Sequence, residues 1–431
     1  MKTHWIKFTV VPLLVLILGA CSSLLPAGKS TENEPGILSD NESPAVGPQD
    51  EGGAEIIAQG NNPADKDSHN NNTCEDPFEG GPTPAFRTDG WETNFCLHSI
   101  SYDDISSGGP ARDGIPPIDS PRFETVGSAD NWIEDLEPVI ILDLAGDVRA
   151  YPLQILIWHE IVNDEVGGEP VVVTFCPLCN TALVFSRPET NGETLTFGTS
   201  GNLRFSDLVM WDRQTESWWQ QFSGEAIVGD LTGTRLEFLP SAIISWEDFK
   251  SNHPDGRVLS IQTGFSRSYG RNPYPGYDNI NSYPFAFTGN HNDRLPAMAR
   301  VVGIMMEDSL GGAYSLDLLQ EKQVLNESLG EVPITIFWKP GTASAVDSGT
   351  ISSGRDVGSA GVFLRTIEDQ SLTFSAVGDG TFVDQETGSA WNIFGESTEG
   401  PLAGTRLVPL PHHDTFWFAW AAFVPDSTLT E

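Results

Sequence analysis

Cys176-Pro177-Leu178-Cys179 is the arrangement in this chain whose residue types and spacing most directly allow chemistry. Two thiols held that close can cycle between dithiol and disulfide, bind a soft metal, or stay oxidised as a small staple. The redox reading makes Cys176 the attacking, more exposed thiol and Cys179 the resolving one, and it implies a thiol redox partner. It meets an obstacle, because the nearest basic residue in sequence is Arg187 and an acidic surface raises a thiol pKa. The metal reading needs donors beyond the two sulfurs. His159 leads, with Met210, His253 and His291 behind it, and such a set suits zinc or copper(I). His159 and Glu160 stand one strand before the cysteines, where they would supply a general base or a ligand. Arg204 with Asp207, and Arg271 with Tyr274 and Tyr277, are candidate ligand-binding groups. A surface ion pair and a packed loop account for the same residues without any ligand. No Ser-His-Asp order, phosphate loop or His-Glu-x-x-His is present.

The elements that must position these groups are short strands. Val171 to Phe175 and Asn180 to Phe185 are rich in β-branched and aromatic residues. Pro177 suits the second position of a type I turn and Asn180 a left-handed position after it. The spacing therefore predicts a knuckle at a hairpin tip, not the strand-to-helix setting of a thioredoxin. Val139 to Leu144 and Val148 to Tyr151 predict a second hairpin around Gly146-Asp147. Pro152 suits a first helical position, with apolar helical spacing from Leu153 to about Asn163. Further helices are expected at Trp246 to Ser251, Ser315 to Lys322 and Thr415 to Phe423.

An internal repeat constrains the architecture further. Asp212-Arg-Gln-Thr-Glu-Ser-Trp-Trp219 answers Asp384-Gln-Glu-Thr-Gly-Ser-Ala-Trp391, and Gly-Thr-Arg-Leu follows in both copies. Leu203-Arg-Phe205 is matched with Leu372-Thr-Phe374. Val171 to Leu183 is matched with Val332 to Ser344, placing Trp338 and Gly341 where the cysteines stand. On that alignment the fold builds one hairpin with or without thiols, which favours function over stapling. The equivalent tryptophans read as core rather than as a glycan platform, and His412-His413 reads as a loop feature. The expected fold is mainly β with a few short helices, in two related halves, 91–265 and 266–431.

The first 21 residues read as a lipoprotein leader. A short basic region precedes an apolar run from Val10 to Leu18, and Leu18-Gly-Ala-Cys21 resembles a lipobox with Cys21 as the lipidated residue. The only membrane contact expected is through that lipid, at the cell surface or in a periplasm. Residues 22–90 have the acidic, Asn-, Pro- and Gly-rich composition of a disordered tether. Sixty acidic against 23 basic residues give a net charge of −37, which argues against nucleic acid as a partner. In an oxidising compartment Cys74 and Cys96 are the expected structural disulfide.

The strings Gly114-Ile-Pro-Pro-Ile-Asp119, Trp158-His-Glu-Ile-Val-Asn-Asp164, Thr174-Phe-Cys-Pro-Leu-Cys179, Ser217-Trp-Trp-Gln-Gln221 and Tyr269-Gly-Arg-Asn-Pro-Tyr274 carry a further resemblance. From about Trp91 to the C-terminus the chain resembles the family catalogued as domain of unknown function 3179. That resemblance implies an exported bacterial or archaeal protein of no established activity. Some family members are described as selenoproteins, which implies redox or soft-metal chemistry at the cysteine positions.

Overall fold

The computed structural model describes residues 77–78, 83–306 and 311–431. The leader, Cys21, most of the expected tether and Cys74 lie outside them. The described residues are mainly β, with short helices. No helix among them is long and apolar enough to cross a membrane.

The duplication is one of three sheets, with the same strand order in each half. Ala242–Ser245, Pro138–Leu144, Asp147–Pro152 and Arg257–Leu259 lie side by side, as do His413–Phe416, Arg300–Met305, Gly311–Ser315 and Thr428–Thr430. In both sets the last strand runs parallel to its neighbour. Ile161–Val166, Glu169–Cys176, Thr181–Ser186 and Phe238–Leu239 are answered by Val324–Leu329, Val332–Lys339, Ser359–Leu364 and Val408–Pro409. The third sheet pairs Phe197–Arg204 with Asp207–Asp212 and continues through Trp218–Gln220, and its counterpart begins at Phe374–Gly378.

The repeated Asp-x-x-Thr-x-Ser-x-Trp string has a physical reason. Asp212 accepts from the Thr215 amide at 2.7 Å and from the Trp219 indole at 2.8 Å. Asp384 does the same for Thr387 at 2.6 Å and Trp391 at 2.9 Å. Each carboxylate caps a turn and satisfies an indole N–H inside the core. Both tryptophans are fully buried, as their repeated placement implied.

Two of the matched segments shift. Phe374 pairs with Asp384 just as Phe197 pairs with Asp212, so Leu372-Thr-Phe374 answers Leu195-Thr-Phe197 and not Leu203-Arg-Phe205. The amides of Phe175 and Trp338 donate to Glu160 and Gln323, the residues just after equivalent helices, each at 2.8 Å. Trp338 therefore answers Phe175, and Lys339 answers Cys176. Beyond that point the halves diverge, because the turn 177–180 corresponds to the long loop 340–358. The second half does not build the knuckle at all, which corrects the expectation of one hairpin made with or without thiols.

The helix expected to run to Asn163 is Leu153–His159, with Pro152 as its N-cap. It stops because Glu160 adopts φ 58°, after which Ile161–Val166 continues as a strand. Gln323 takes φ 61° at the equivalent point. The left-handed stop thus belongs to the fold, and only the carboxylate is particular to the first half.

Candidate functional site

Seven elements hold the site: α1 (Leu153–His159), β1 (Ile161–Val166), β2 (Glu169–Cys176), β3 (Thr181–Ser186), β4 (Phe197–Arg204), β5 (Asp207–Asp212) and β6 (Trp218–Gln220). Strands β2 and β3 pair through Cys176 and Thr181, and Asn180 has φ 58°, so the knuckle forms as its sequence predicts. Its carbonyl at Cys179 accepts from the Thr415 hydroxyl at 2.9 Å and the Phe416 amide at 3.0 Å. The Asn180 side-chain amide donates to the Asp414 carbonyl at 3.2 Å. A strand of the second half therefore braces the cysteine turn.

The β4–β5 hairpin supplies the third member. Its two turn residues, Phe205 and Ser206, have φ 51° and 65°, a conformation that usually recruits Gly, Asn or Asp. Asp207 follows directly and is wholly buried. The Cys179 thiol lies 2.9 Å from Asp207 Oδ1 and donates to it, while the Thr181 hydroxyl donates to the Cys179 sulfur at 3.0 Å. Asp207 Oδ2 accepts from Gln220 Nε2 at 2.5 Å and from the Phe222 amide at 3.0 Å. One ligand atom from each of Cys176, Cys179 and Asp207 falls within 4.8 Å of the others.

Both cysteines are free thiols, 2% and 0% exposed. The expectation of an exposed Cys176 is corrected, since the knuckle tip is covered rather than presented to solvent. Burial pushes both thiol pKa values up, and the negative charge of Asp207 adds to the effect. Burial also raises Asp207 to about 6 and Glu160 to about 8, the latter helped by the charge of Asp207. Glu160 raises Cys176 in turn. Four acidic groups thus share one buried region. Arg204 is within electrostatic reach of Asp207, but its guanidinium is paired with Asp104 at 3.4 Å and lies over the Phe205 ring at 4.4 Å.

His159 does not join them. Its Nδ1 lies 2.7 Å from the Pro116 carbonyl, which can only accept, so Nδ1 carries the proton. Nε2 then accepts from the Tyr269 hydroxyl at 2.8 Å. Both nitrogens are occupied, which removes His159 as a ligand or base for the thiols and makes it a buried strut. Met210 pairs across β4 and β6, His253 contacts Phe249 and Phe394, and His291 contacts Phe287. No histidine among the described residues belongs to the cluster.

Asp207, expected at a surface turn, is instead central. Arg204 flanks it without entering. Arg271 binds the Thr350 hydroxyl at 2.7 Å and accepts from the Trp158 indole through its carbonyl, joining two loops. Tyr274 and Tyr277 pack on the core that contains the cysteines. Burial raises both phenols, Tyr277 to about 12, with the cysteine charges adding to the effect. His412 and His413 are buried, the latter in a strand, rather than in an open loop. Cys96 is disulfide-bonded, while its expected partner Cys74 lies outside the described residues. Thr181, Gln220 and Thr415 escaped the sequence reading. Gln220 stood inside a quoted string, but nothing in its spacing pointed at Asp207.

Fold and site together define a duplicated, mainly-β protein whose first half alone carries a buried dithiol–carboxylate cluster. The chain belongs to the family described as protein of unknown function (DUF3179), whose model matches residues 112–427. No curated protein and no solved structure matches the chain.

Proposed function

We propose that Cys176, Cys179 and Asp207 hold a zinc ion, and that the chain is an exported zinc-binding protein tethered through Cys21. The observation that carries this is the close, buried grouping of three donor atoms. Four acidic groups in one desolvated region are costly to ionise without a compensating cation, and a divalent metal supplies it. Tetrahedral zinc, with Zn–S near about 2.3 Å, sets its donors about 3.5–3.8 Å apart, a spacing the cluster reaches with small side-chain adjustments. Water fills the fourth position in this reading, and Glu160 stands beside the grouping without belonging to it. Its carboxylate accepts no hydrogen bond from the described residues and is raised by the neighbouring Asp207 charge. A dithiolate with hard oxygen donors suits zinc better than copper(I).

Thiol–disulfide exchange is the second reading, favoured by the spacing and by two reduced thiols. Burial and raised thiol pKa values weigh against thiolate attack at neutral pH. Cobalt(II) substitution tests the choice. Thiolate-to-cobalt charge transfer should appear in the near ultraviolet, vanish in Cys176→Ser and Cys179→Ser, and persist in His159→Phe. A protein that takes up no cobalt but exchanges its dithiol with glutathione at pH 7 would move the assignment to redox chemistry.

A further inference from the structure

Away from the cysteines, a cavity of about 440 Å³ opens where the two halves meet. Ile141, Leu144 and Ile244 line it from the first half, and Phe363, Ile393 and Phe394 from the second. Its walls are mostly apolar and its volume lies in the range of small-molecule sites. Small residues on the wall, Ala145 and Ala242, keep it open.

The charged lining restricts what it can accept. Arg406 Nη1 donates to Asp143 Oδ2 at 2.8 Å across the halves, and Nη2 binds Glu396. The guanidinium is therefore already matched by two carboxylates, so an anionic ligand would meet acids rather than a free cation. A ligand cation would have to take a carboxylate away from Arg406. Of the two histidines on the wall, His253 has its pKa lowered by burial, while His412 donates from Nδ1 to the Leu410 carbonyl at 3.1 Å and holds Nε2 3.8 Å from the Asp414 carboxylate. Water gains few hydrogen bonds against aliphatic and aromatic walls.

We infer that this cavity binds a small, uncharged, apolar molecule of the size of two or three rings. The site is independent of the dithiol cluster and stands or falls separately from zinc binding. N-phenyl-1-naphthylamine, a neutral probe whose fluorescence rises in apolar surroundings, tests it on the full chain. The expected result is a saturable one-to-one signal. Its affinity should fall at least tenfold in Ala242→Trp, which fills the cavity from a strand, and in Ser241→Trp, which fills it from the adjoining loop. Val377→Trp, at a position 61% exposed and outside the cavity, should bind as the unmodified protein does. Should Ala242→Trp fail to fold, Ser241→Trp decides the matter. A non-saturable signal, or unchanged affinity in the folded cavity variants, overturns the assignment.

Discussion

Replacing Glu160 by Gln should flatten the pH dependence of stability of the metal-free protein between pH 7 and 8. Burial and the Asp207 charge raise this carboxyl from 4.5 to about 8 in the folded state. The native protein then retains a proton that the unfolded chain has released. The stability tied to that proton is complete below about pH 4.5 and is lost as pH rises through about 8. The full shift corresponds to about 5 kcal/mol as an upper bound, at about 1.36 kcal/mol per pH unit. Between pH 7 and 8 the native carboxyl goes from about nine-tenths to half protonated, a slope of about 1 kcal/mol per pH unit. Neighbouring titrations leave this window nearly clear. Asp207, raised to about 6, has finished with the same sign. Glu137, raised to about 7 by burial, adds a few tenths of a kcal/mol of the same sign, about 0.3–0.4 by the same linkage. His413, lowered by burial to about 4, acts oppositely, as do His159 and His253, which burial also lowers. The unfolded imidazoles are still about one-quarter protonated at pH 7, so each adds about 0.1 kcal/mol of stability between pH 7 and 8, in both proteins alike. The raised thiols act mainly above pH 8. Urea unfolding at pH 7.0, 7.5 and 8.0 with a chelator present measures the slope. The unmodified chain should lose about 1 kcal/mol more than Glu160→Gln between pH 7 and 8, the Glu137 and histidine contributions being common to both. Equal slopes in the two proteins would refute the buried-proton argument.

Other expectations are independent of that one. His159→Phe should cost about 1–3 kcal/mol in unfolding experiments, because the Pro116 carbonyl loses its donor, yet leave zinc uptake unchanged. Gly303→Ala should destabilise by about 1–3 kcal/mol, since a Cβ there would sit 2.1 Å from the Trp420 ring. A melting temperature equal to that of the unmodified protein would count against so close an approach of strand and helix. Ser206→Gly relieves a left-handed residue in the turn before Asp207 and should raise stability by up to about 1 kcal/mol in metal-free protein. Asp384→Ala strands the Trp391 indole and the Thr387 amide, and a loss of about 2 kcal/mol or more is expected from thermal or urea unfolding.

Local chemistry carried much of the fold in plain view. The knuckle followed from Pro177 and Asn180, and the helix after Pro152 from its apolar spacing; helices were also expected, and are found, near Trp246, Leu316 and Trp417. The duplication was visible because Asp212 and Asp384 do the same turn-capping work and so keep the same neighbours. What sequence order hid was register. A one-residue slip put Trp338 opposite Cys176, and only the amide bonds from Phe175 and Trp338 to the ends of equivalent helices settle it. The site was half legible for a related reason. Glu160, the cysteines and Asp207 were all singled out, but Asp207 only as a partner of Arg204, because it reaches the thiols across a sheet boundary that no local pattern encodes. His159 looked like a ligand because it stands one strand before the cysteines in sequence, whereas Tyr269, far along the chain, claims its free nitrogen.

Zinc binding at the dithiol–carboxylate cluster is tested most directly by the metal content of the purified chain. The protein is exposed to equimolar zinc under thiol-protecting conditions, then desalted and submitted to elemental analysis. One zinc per chain is expected for the unmodified protein and for His159→Phe, and none retained by Cys176→Ser, Cys179→Ser or Asp207→Ala. A zinc-free unmodified protein whose two buried thiols still titrate as free after unfolding would contradict the assignment.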